Sequence, residues 1–191
     1  MSVISRDLIM RALRRLGELA LAEGLTLEIC LYGGTAMMLA YGNREATQDV
    51  DATVSPKEIG LHFAKQVARE LNLEEKWLND EVWRFFAPRG ARRALPLDIP
   101  GLRLYAATAS YLLAMKALAC RRPGPSRRGD LHDLKFLIRK MEIKTLAEIQ
   151  KHIDRFYPDD VPTPDQQKII QGIIEEVARE HKKQIPLSPP V

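Results

Sequence analysis

Two aspartates in alternate positions, Asp49 and Asp51, are the residues of this sequence best suited to chemistry. Residues 49–54 alternate polar and apolar side chains, which predicts a strand buried on one face. Residues two apart in a strand point to the same face, so the two carboxylates are expected to lie side by side. Neighbouring anions repel each other unless a cation lies between them, and Mg²⁺ (or Mn²⁺) accepts carboxylate and phosphate oxygens. The competing interpretation is a solvent-facing pair at a sheet edge.

A glycine turn precedes the two aspartates. Gly33 and Gly34 lie between a predicted strand at residues 25–32 and a predicted short helix at residues 35–41. Glycine lets the backbone approach a ligand closely, and the first N–H groups of a helix attract anions. Thr35 adds a hydroxyl donor. Together with the aspartates, the turn predicts a phosphate site bridged by metal, although a strand–helix turn uses glycine for its own geometry as well.

Lys116 lies in a predicted apolar helix at residues 108–121, where a charged side chain is unusual and indicates a specific role or contact. Its ammonium either meets nucleotide phosphates or extends to the surface along its aliphatic stem. Asp130 begins the next predicted helix, where a carboxylate can cap free N–H groups, and Asp133 lies one turn further on the same face. One of these two carboxylates is expected to pair with Lys116 or to orient a nucleophile, and the spacing does not choose between them.

Positive charge is concentrated between residues 84 and 128. This stretch has ten basic residues and one acid, Asp98, a net charge of +9 in a chain whose total is +4. Nine of the ten are arginines, whose planar group suits phosphate oxygens, so the band predicts a surface that meets nucleic acid. The other interpretation is that these arginines only keep the protein in solution. Asp98, in a predicted strand at residues 95–99, is a candidate third metal ligand, although its neighbouring prolines favour an edge strand.

In their order, these motifs resemble those of the polymerase-β-like nucleotidyltransferase superfamily. The resemblance is closer to its minimal members, which include the AbiEii-type and MenT-type toxins of bacterial toxin–antitoxin pairs and their uncharacterised relatives. The matching segments cover about residues 28–140: Tyr32-Gly33-Gly34-Thr35, Arg44 with Thr47, Asp49-x-Asp51, Trp77-Leu78-Asn79-Asp80, and Lys116 followed by Arg128-Gly129-Asp130 and Asp133. The sequence departs from the pattern Arg-x-Thr-x-Asp-x-Asp by one extra residue before Thr47.

The resemblance implies a fold, a reaction and roles for residues. The fold would be α+β, a nucleotidyltransferase fold with a small mixed sheet flanked by helices and a helical C-terminal part. The reaction would be metal-dependent transfer of a nucleoside monophosphate from a nucleoside triphosphate to an acceptor hydroxyl, with tRNA as a possible acceptor and a cognate antitoxin as a possible partner. The implied catalytic residues are Asp49, Asp51, Lys116, Asp130 and Asp133. The implied nucleotide-binding residues are Gly33, Gly34, Thr35, Arg44 and Lys116. The implied metal ligands are Asp49, Asp51 and Asp98.

Two other functions fit the same motifs. One is a catalytically degenerate nucleotide- or RNA-binding module, and the other is a nucleotidyltransferase that modifies a protein or a small molecule. A dependence of triphosphate binding on Mg²⁺ or Mn²⁺ separates the enzyme from the module.

Composition bounds the remaining possibilities. The chain has 191 residues, 46% of them hydrophobic and 28% charged, which excludes a disordered or collagen-like chain. No apolar run has the length of a membrane span, the first residues lack a signal-peptide pattern, and the two cysteines lack metal or disulfide spacing. We therefore expect a cytoplasmic protein without a membrane partner.

The predicted organisation has three parts: a core at residues 1–107, a helical part at residues 108–185 and a disordered tail at residues 186–191. Periodicity and capping residues predict the remaining elements. Further helices are expected at residues 5–23, 56–71, 77–86, 130–141, 145–156 and 165–183, with Ser55 as the cap of the second, and a further strand at residues 102–106.

Overall fold

The fold is α+β, as predicted, in a computed structural model that describes residues 3–80, 91–121 and 128–184. The chain divides into two compact units, Met1–Thr108 and Ala109–Val191. The first unit combines a mixed β-sheet with helices, and the described residues of the second unit form helices joined by loops.

A mixed sheet of five strands organises the first unit. Its strands are β2 (Leu27–Leu31), β4 (Val50–Ser55), β5 (Leu78–Asn79), β6 (Arg92–Ala94) and β7 (Leu102–Ala107). They lie in the order β5-β4-β2-β7-β6, and β2 runs parallel to β7 but antiparallel to β4. Two short strands, β1 (Ile4–Ser5) and β3 (Ala46–Thr47), form a separate antiparallel pair.

Two amphipathic helices, α1 (Arg6–Ala22) and α3 (Lys57–Leu71), cover one face of this sheet. Helix α1 approaches Leu102 at Gly17, and α3 approaches Val54 at Gly60, where a Cβ atom would overlap the Val54 side chain. Because side chains alternate along a strand, the residues at odd positions of β4 point to the opposite face. Asp51 therefore lies on the face away from α1 and α3, next to the short helix α2 (Gly33–Leu39).

The second unit is built from four helices: α4 (Ala109–Ala119), α5 (Arg128–Lys140), α6 (Leu146–Phe156) and α7 (Pro164–Gln184). Helix α6 begins with a reciprocal cap, since the Thr145 hydroxyl accepts from the Glu148 N–H while the Glu148 carboxylate accepts from the Thr145 N–H. Tyr111 of α4 packs edge-on against Phe156 of α6, with ring centroids 5.1 Å apart. Both rings are buried, and they form part of the core of this unit.

The structure corrects three sequence predictions. The strand predicted at residues 95–99 is a loop, and the strand lies earlier at Arg92–Ala94, because prolines at 96 and 100 lack the N–H that a strand ladder needs. The helix predicted at residues 77–86 is not present at residues 77–80, which contain β5; its remaining residues lie outside the described ranges. Ser55 does not cap α3, because it is paired with Glu28 in the sheet.

The other predicted helices and strands of the described ranges are present, with ends shifted by a few residues. The predicted tail at residues 186–191 and most of the arginine-rich loop before α5 lie outside those ranges. Within the part of the chain that the structure describes, no helix combines the length and hydropathy needed to cross a membrane.

Candidate functional site

The carboxylates of Asp49 and Asp51 lie together on one face of the sheet. Asp51 is in β4 and Asp49 immediately precedes that strand. A single side-chain amide links them: Asn79 Nδ2 lies 3.3 Å from Asp49 Oδ2 and 3.1 Å from Asp51 Oδ1. The side-by-side arrangement expected from the alternation is the arrangement in the structure.

The glycine turn packs directly against Asp51, Thr47 and Arg44. Gly33 has φ +49°, a left-handed conformation, and a Cβ atom at this position would overlap the Asp51 carboxylate. At Gly34, a Cβ would lie 2.5 Å from the Thr47 hydroxyl and 3.1 Å from Arg44 Nη1. Glycine is thus required at Gly33 both by the backbone and by the proximity of Asp51. Helix α2 begins directly at this turn, with no side-chain cap from Tyr32.

Thr35 has a different contact from the predicted one. Its side chain is fully buried, and its hydroxyl donates to the Asp49 carbonyl at 3.1 Å. In this structure the hydroxyl therefore positions the backbone of Asp49 instead of facing a phosphate. The contact also ties α2 to the residue that precedes β4.

Burial raises the pKa of the half-buried Asp49 carboxyl above its ordinary value, and the nearby Arg44 guanidinium partly opposes this shift. The cause is desolvation, which disfavours the ionised form. A bound cation would reverse the effect by favouring the carboxylate. The charge environment of Asp49 is therefore that of an acidic group that would gain from a positive ligand.

The donor set suits a hard divalent cation. Mg²⁺ binds through one or two carboxylates, accepts amide oxygens, and completes its shell with water and substrate phosphates. Asp49 and Asp51 supply the carboxylates and Asn79 an amide. Within residues 3–80, 91–121 and 128–184, no group of three or more His, Cys, Asp or Glu residues is arranged to hold a metal ion.

Asp98 does not join the pair. It is exposed in the loop between β6 and β7, just before β7 begins at Leu102. Strand β7 pairs with β2 from Leu102 to Ala106, and only its far end is level with the start of β4. Four residues along a strand span about 13 Å. The predicted third ligand therefore lies at the opposite end of the sheet from Asp49 and Asp51.

Lys116 forms a second cluster, which belongs to the helical unit. Its Nζ lies 2.8 Å from Asp133 Oδ2 and 3.0 Å from Asp130 Oδ1. Asp133 is completely buried and the Lys116 side chain is 10% exposed, whereas the Asp130 side chain is 54% exposed. Both carboxylates that the spacing left open therefore pair with the lysine, and Lys116 does not extend freely into solvent.

Part of the predicted basic band is engaged in local contacts. Arg92 forms an ion pair with Glu28 and stacks 4.2 Å from the centroid of the Tyr105 ring. Arg93 lies over the ring of Tyr41, with its guanidinium 4.8 Å from the centroid. All four arginines of the band whose burial the structure describes are exposed, and they are Arg92, Arg93, Arg103 and Arg121.

Comparison with known proteins adds no relative. No family model, no curated protein and no solved structure matches this chain.

Asn79 is the site residue whose contact sequence reasoning missed. It belongs to the segment Trp77-Leu78-Asn79-Asp80, for which the sequence predicts a helix and no role for the asparagine. The structure pairs Asn79 with Asp51 across parallel strands β5 and β4. A strand of two residues is too short to show a periodic pattern. The only sequence feature that pointed to Asn79 was the resemblance of this segment to the nucleotidyltransferase relatives.

Replacing Asp49 by asparagine should stabilise the cation-free protein at neutral pH. The folded state binds the Asp49 proton more tightly than the unfolded chain does, since the pKa is raised on folding. Stability should therefore fall as the pH rises from the ordinary carboxyl range through the raised pKa. Asn79 can still donate to an asparagine oxygen at position 49. Because Asp49 is half exposed, we expect the melting temperature to increase by only roughly 1–3 °C, measured by thermal unfolding in EDTA.

The exposed Asp98 offers the matched control. Asp98→Asn removes the same charge from the same unit, away from the pair, and should leave the melting temperature unchanged. A lower melting temperature for Asp49→Asn at neutral pH would contradict the assigned electrostatics.

Proposed function

We propose that this protein is a metal-dependent nucleotidyltransferase, which transfers a nucleoside monophosphate from a nucleoside triphosphate to an acceptor hydroxyl. The observation that carries the proposal is the pair Asp49 and Asp51, joined by one amide and packed against the turn at Gly33. Two adjacent carboxylates beside the partly exposed backbone of Gly33 and Gly34 are suited to a cation and a phosphate together. The order of the sequence motifs, which resembles that of polymerase-β-like nucleotidyltransferases, supports the same reaction.

Each residue of the pair and the turn has a proposed task. Asp49 and Asp51 would hold Mg²⁺ or Mn²⁺, which when bound neutralises phosphate charge and acts as a Lewis acid. The backbone at Gly33 and Gly34, where α2 begins, would lie beside the triphosphate, while the space on the Cβ side of the two glycines is occupied by Asp51, Thr47 and Arg44. Arg44, beside Gly34, would add positive charge to this approach. Thr35 would keep Asp49 in position through its backbone.

The chemical step is an in-line displacement at phosphorus. The acceptor oxygen forms a bond to the α-phosphorus, the bond from that phosphorus to the bridging oxygen breaks, and pyrophosphate leaves with the electron pair. The proton of the acceptor hydroxyl is released to water. Positioning and electrostatic stabilisation account for most of the rate enhancement of such reactions, so the protein need not supply a covalent nucleophile.

Lys116 is proposed to act in transfer as well, on the basis of the sequence resemblance. Its ion pairs already offset its charge, so the cluster it forms with Asp130 and Asp133 carries one net negative charge when all three are ionised. Asp133 is the buried partner, and Asp130 is the exposed one that a substrate can displace at little cost. The proposed division is that Asp133 positions the lysine while Asp130 exchanges with substrate.

RNA is the proposed acceptor, with tRNA favoured by the resemblance to toxin nucleotidyltransferases. The basic stretch of residues 84–128 supports a polyanionic partner, because phosphate contacts dominate protein–nucleic acid affinity. Exposed Arg103 and Arg121 are available for such contacts. The same resemblance supports a cytoplasmic toxin with a cognate antitoxin.

Incubation with radiolabelled triphosphates tests the reaction directly. Each of the four nucleoside triphosphates, labelled at the α- or γ-phosphate, is incubated with the protein and total RNA, with Mg²⁺ or with EDTA. We expect label transfer to RNA from one or more α-labelled triphosphates, none from γ-labelled ones, and none in EDTA. Phosphoryl transfer from the γ-position would instead identify a kinase.

Three outcomes would count against the proposal. Metal-independent triphosphate binding without transfer would indicate a binding module, and label on the protein or on a small molecule would move the acceptor away from RNA. Absence of transfer from every α-labelled triphosphate to all three acceptor classes would overturn the enzymatic function.

A further inference from the structure

We propose that Asn79 is the third protein group of the cation site: its Nδ2 bridges Asp49 and Asp51 when no cation is bound, and its Oδ1 binds the cation when one is. This inference rests on the proposed function, because it concerns the same two carboxylates. It adds a residue that the carboxylate spacing did not predict and a change of state at the site.

The side-chain nitrogen of Asn79 donates to both carboxylates, and a cation bound between them would contact the same two oxygens. An amide NH₂ has two hydrogens, and here one nitrogen faces both carboxylates, at 3.1 Å from Asp51 and 3.3 Å from Asp49. Both contacts use the positive end of the amide dipole. A cation between the same two oxygens would satisfy them more strongly, since it carries a full charge.

The backbone fixes Asn79 at this position. Asn79 is paired with Asp51 in the parallel ladder of β4 and β5, and the Val50 N–H donates to the Trp77 carbonyl at 2.7 Å. Trp77 is 1% exposed and its Nε1 donates to the Ala64 carbonyl at 2.9 Å, which anchors the start of β5. The amide therefore stays beside the carboxylates whether or not a cation is present.

A half-turn of the amide converts it from a donor into a ligand. The two ends of an asparagine side chain have nearly the same shape, so a rotation about its Cβ–Cγ bond exchanges Nδ2 and Oδ1. Amide oxygens are accepted ligands of hard divalent cations, while the N–H hydrogens would repel them. Asparagine serves both states, whereas an aspartate at position 79 would bring a third negative charge to the cation-free site.

Three variants of the 191-residue chain test the assignment, with Mn²⁺ as the probe and bound metal measured by electron paramagnetic resonance. Asn79→Leu, which has neither donor nor ligand atoms, should bind Mn²⁺ about tenfold to a hundredfold more weakly than wild type. Asn79→Asp should bind Mn²⁺ at least as tightly as wild type, but its cation-free form should melt at a lower temperature. Asp80→Asn is the control: it removes a carboxylate that pairs with Lys57, one residue away, and should keep wild-type affinity.

A purely structural tie makes a different prediction. If the amide only held β5 against β4, both position-79 variants would lose the two hydrogen bonds and both would bind Mn²⁺ weakly. Weak binding by Asn79→Asp, or wild-type binding by Asn79→Leu, would overturn the inference. Asp51→Asn defines the site in the same assay, since it should abolish binding.

A measurement on the wild-type protein does not depend on the folding of any variant. Nuclear magnetic resonance follows the side-chain NH₂ signals of Asn79, which should shift on titration with diamagnetic Mg²⁺. Unchanged Asn79 signals, with Mg²⁺ bound at Asp51, would overturn the role of Asn79 but leave the proposed function standing. A wild-type protein that binds neither Mn²⁺ nor Mg²⁺ would overturn both.

Discussion

Asp51→Asn is expected to lower the rate of nucleotide transfer at least roughly 1000-fold while leaving the fold intact. Metal ions supply several kcal/mol of transition-state stabilisation, and a loss of about 4 kcal/mol corresponds to roughly three orders of magnitude in rate. Asparagine has the shape of aspartate, so it still fills the space against Gly33. The loss would therefore report the missing charge and not a collapsed turn. Label transfer from the α-labelled triphosphate gives the rate, and thermal unfolding checks the fold.

Asp98→Asn is the control for this substitution as well. Asp98 belongs to the same unit and was predicted to be a metal ligand, but it lies at the opposite end of the sheet. We expect the wild-type rate for this variant. A loss of transfer on replacing Asp98, or full activity after replacing Asp51, would contradict the assignment of the cation to the pair.

The sequence was sufficient for the carboxylate pair because the information is local. Asp49 and Asp51 belong to a segment whose alternation determines the face on which each side chain lies. The same holds in part for the glycine turn: the sequence predicts it between a strand and a helix that begins at Thr35, and in the structure its two glycines are the first residues of α2. The alternation of polar and apolar residues does not explain why these two positions are glycines. A side chain at Gly33 would overlap Asp51, and a side chain at Gly34 would overlap Thr47 and crowd Arg44.

The remaining site residues depend on register between distant segments. Asn79 reaches the pair through β5, a two-residue strand that has no periodicity of its own, so only the fold reveals the contact. The prediction that Asp98 is a metal ligand in a strand was wrong because that strand was placed over the two prolines. In the structure, the strand that pairs with β7 begins at Arg92. The position of Asn79 is determined by pairing with the distant strand β4, whereas Asp98 lies in the loop that joins the consecutive strands β6 and β7.

The helical unit gives a third case. The sequence spacing identifies Asp130 and Asp133 as candidate partners of Lys116, and only their burial in the structure distinguishes the two. Asp130 and Asp133 lie one turn apart, so both were candidates to pair with Lys116. The structure pairs both with the lysine and distinguishes them by exposure. Exposure depends on how α4, α5 and the neighbouring helices pack, which a single helix period does not specify.

Lys116→Met should destabilise the protein by about 3–5 kcal/mol, the range for breaking a buried ion pair by removing one partner. Asp133 is completely buried, and the substitution would remove the cation 2.8 Å from its carboxylate. In thermal unfolding this corresponds to a decrease of roughly 6–20 °C in the melting temperature, if the unit that contains Lys116 unfolds with the rest of the chain. Methionine keeps much of the volume of the lysine stem, so the loss would report charge and not a cavity.

The second partner of the same lysine provides the matched control. Asp130→Asn removes an ion pair whose carboxylate is 54% exposed, and such pairs contribute at most about 1 kcal/mol. The double variant Lys116→Met/Asp133→Leu should regain most of the stability lost in Lys116→Met, because apolar residues can replace a buried ion pair without loss. Equal effects of Lys116→Met and Asp130→Asn, or no recovery in the double variant, would contradict the proposed asymmetry. If transfer fails in Asp130→Asn at unchanged stability, the exposed carboxylate is the one that acts on substrate, and Asp133 positions the lysine.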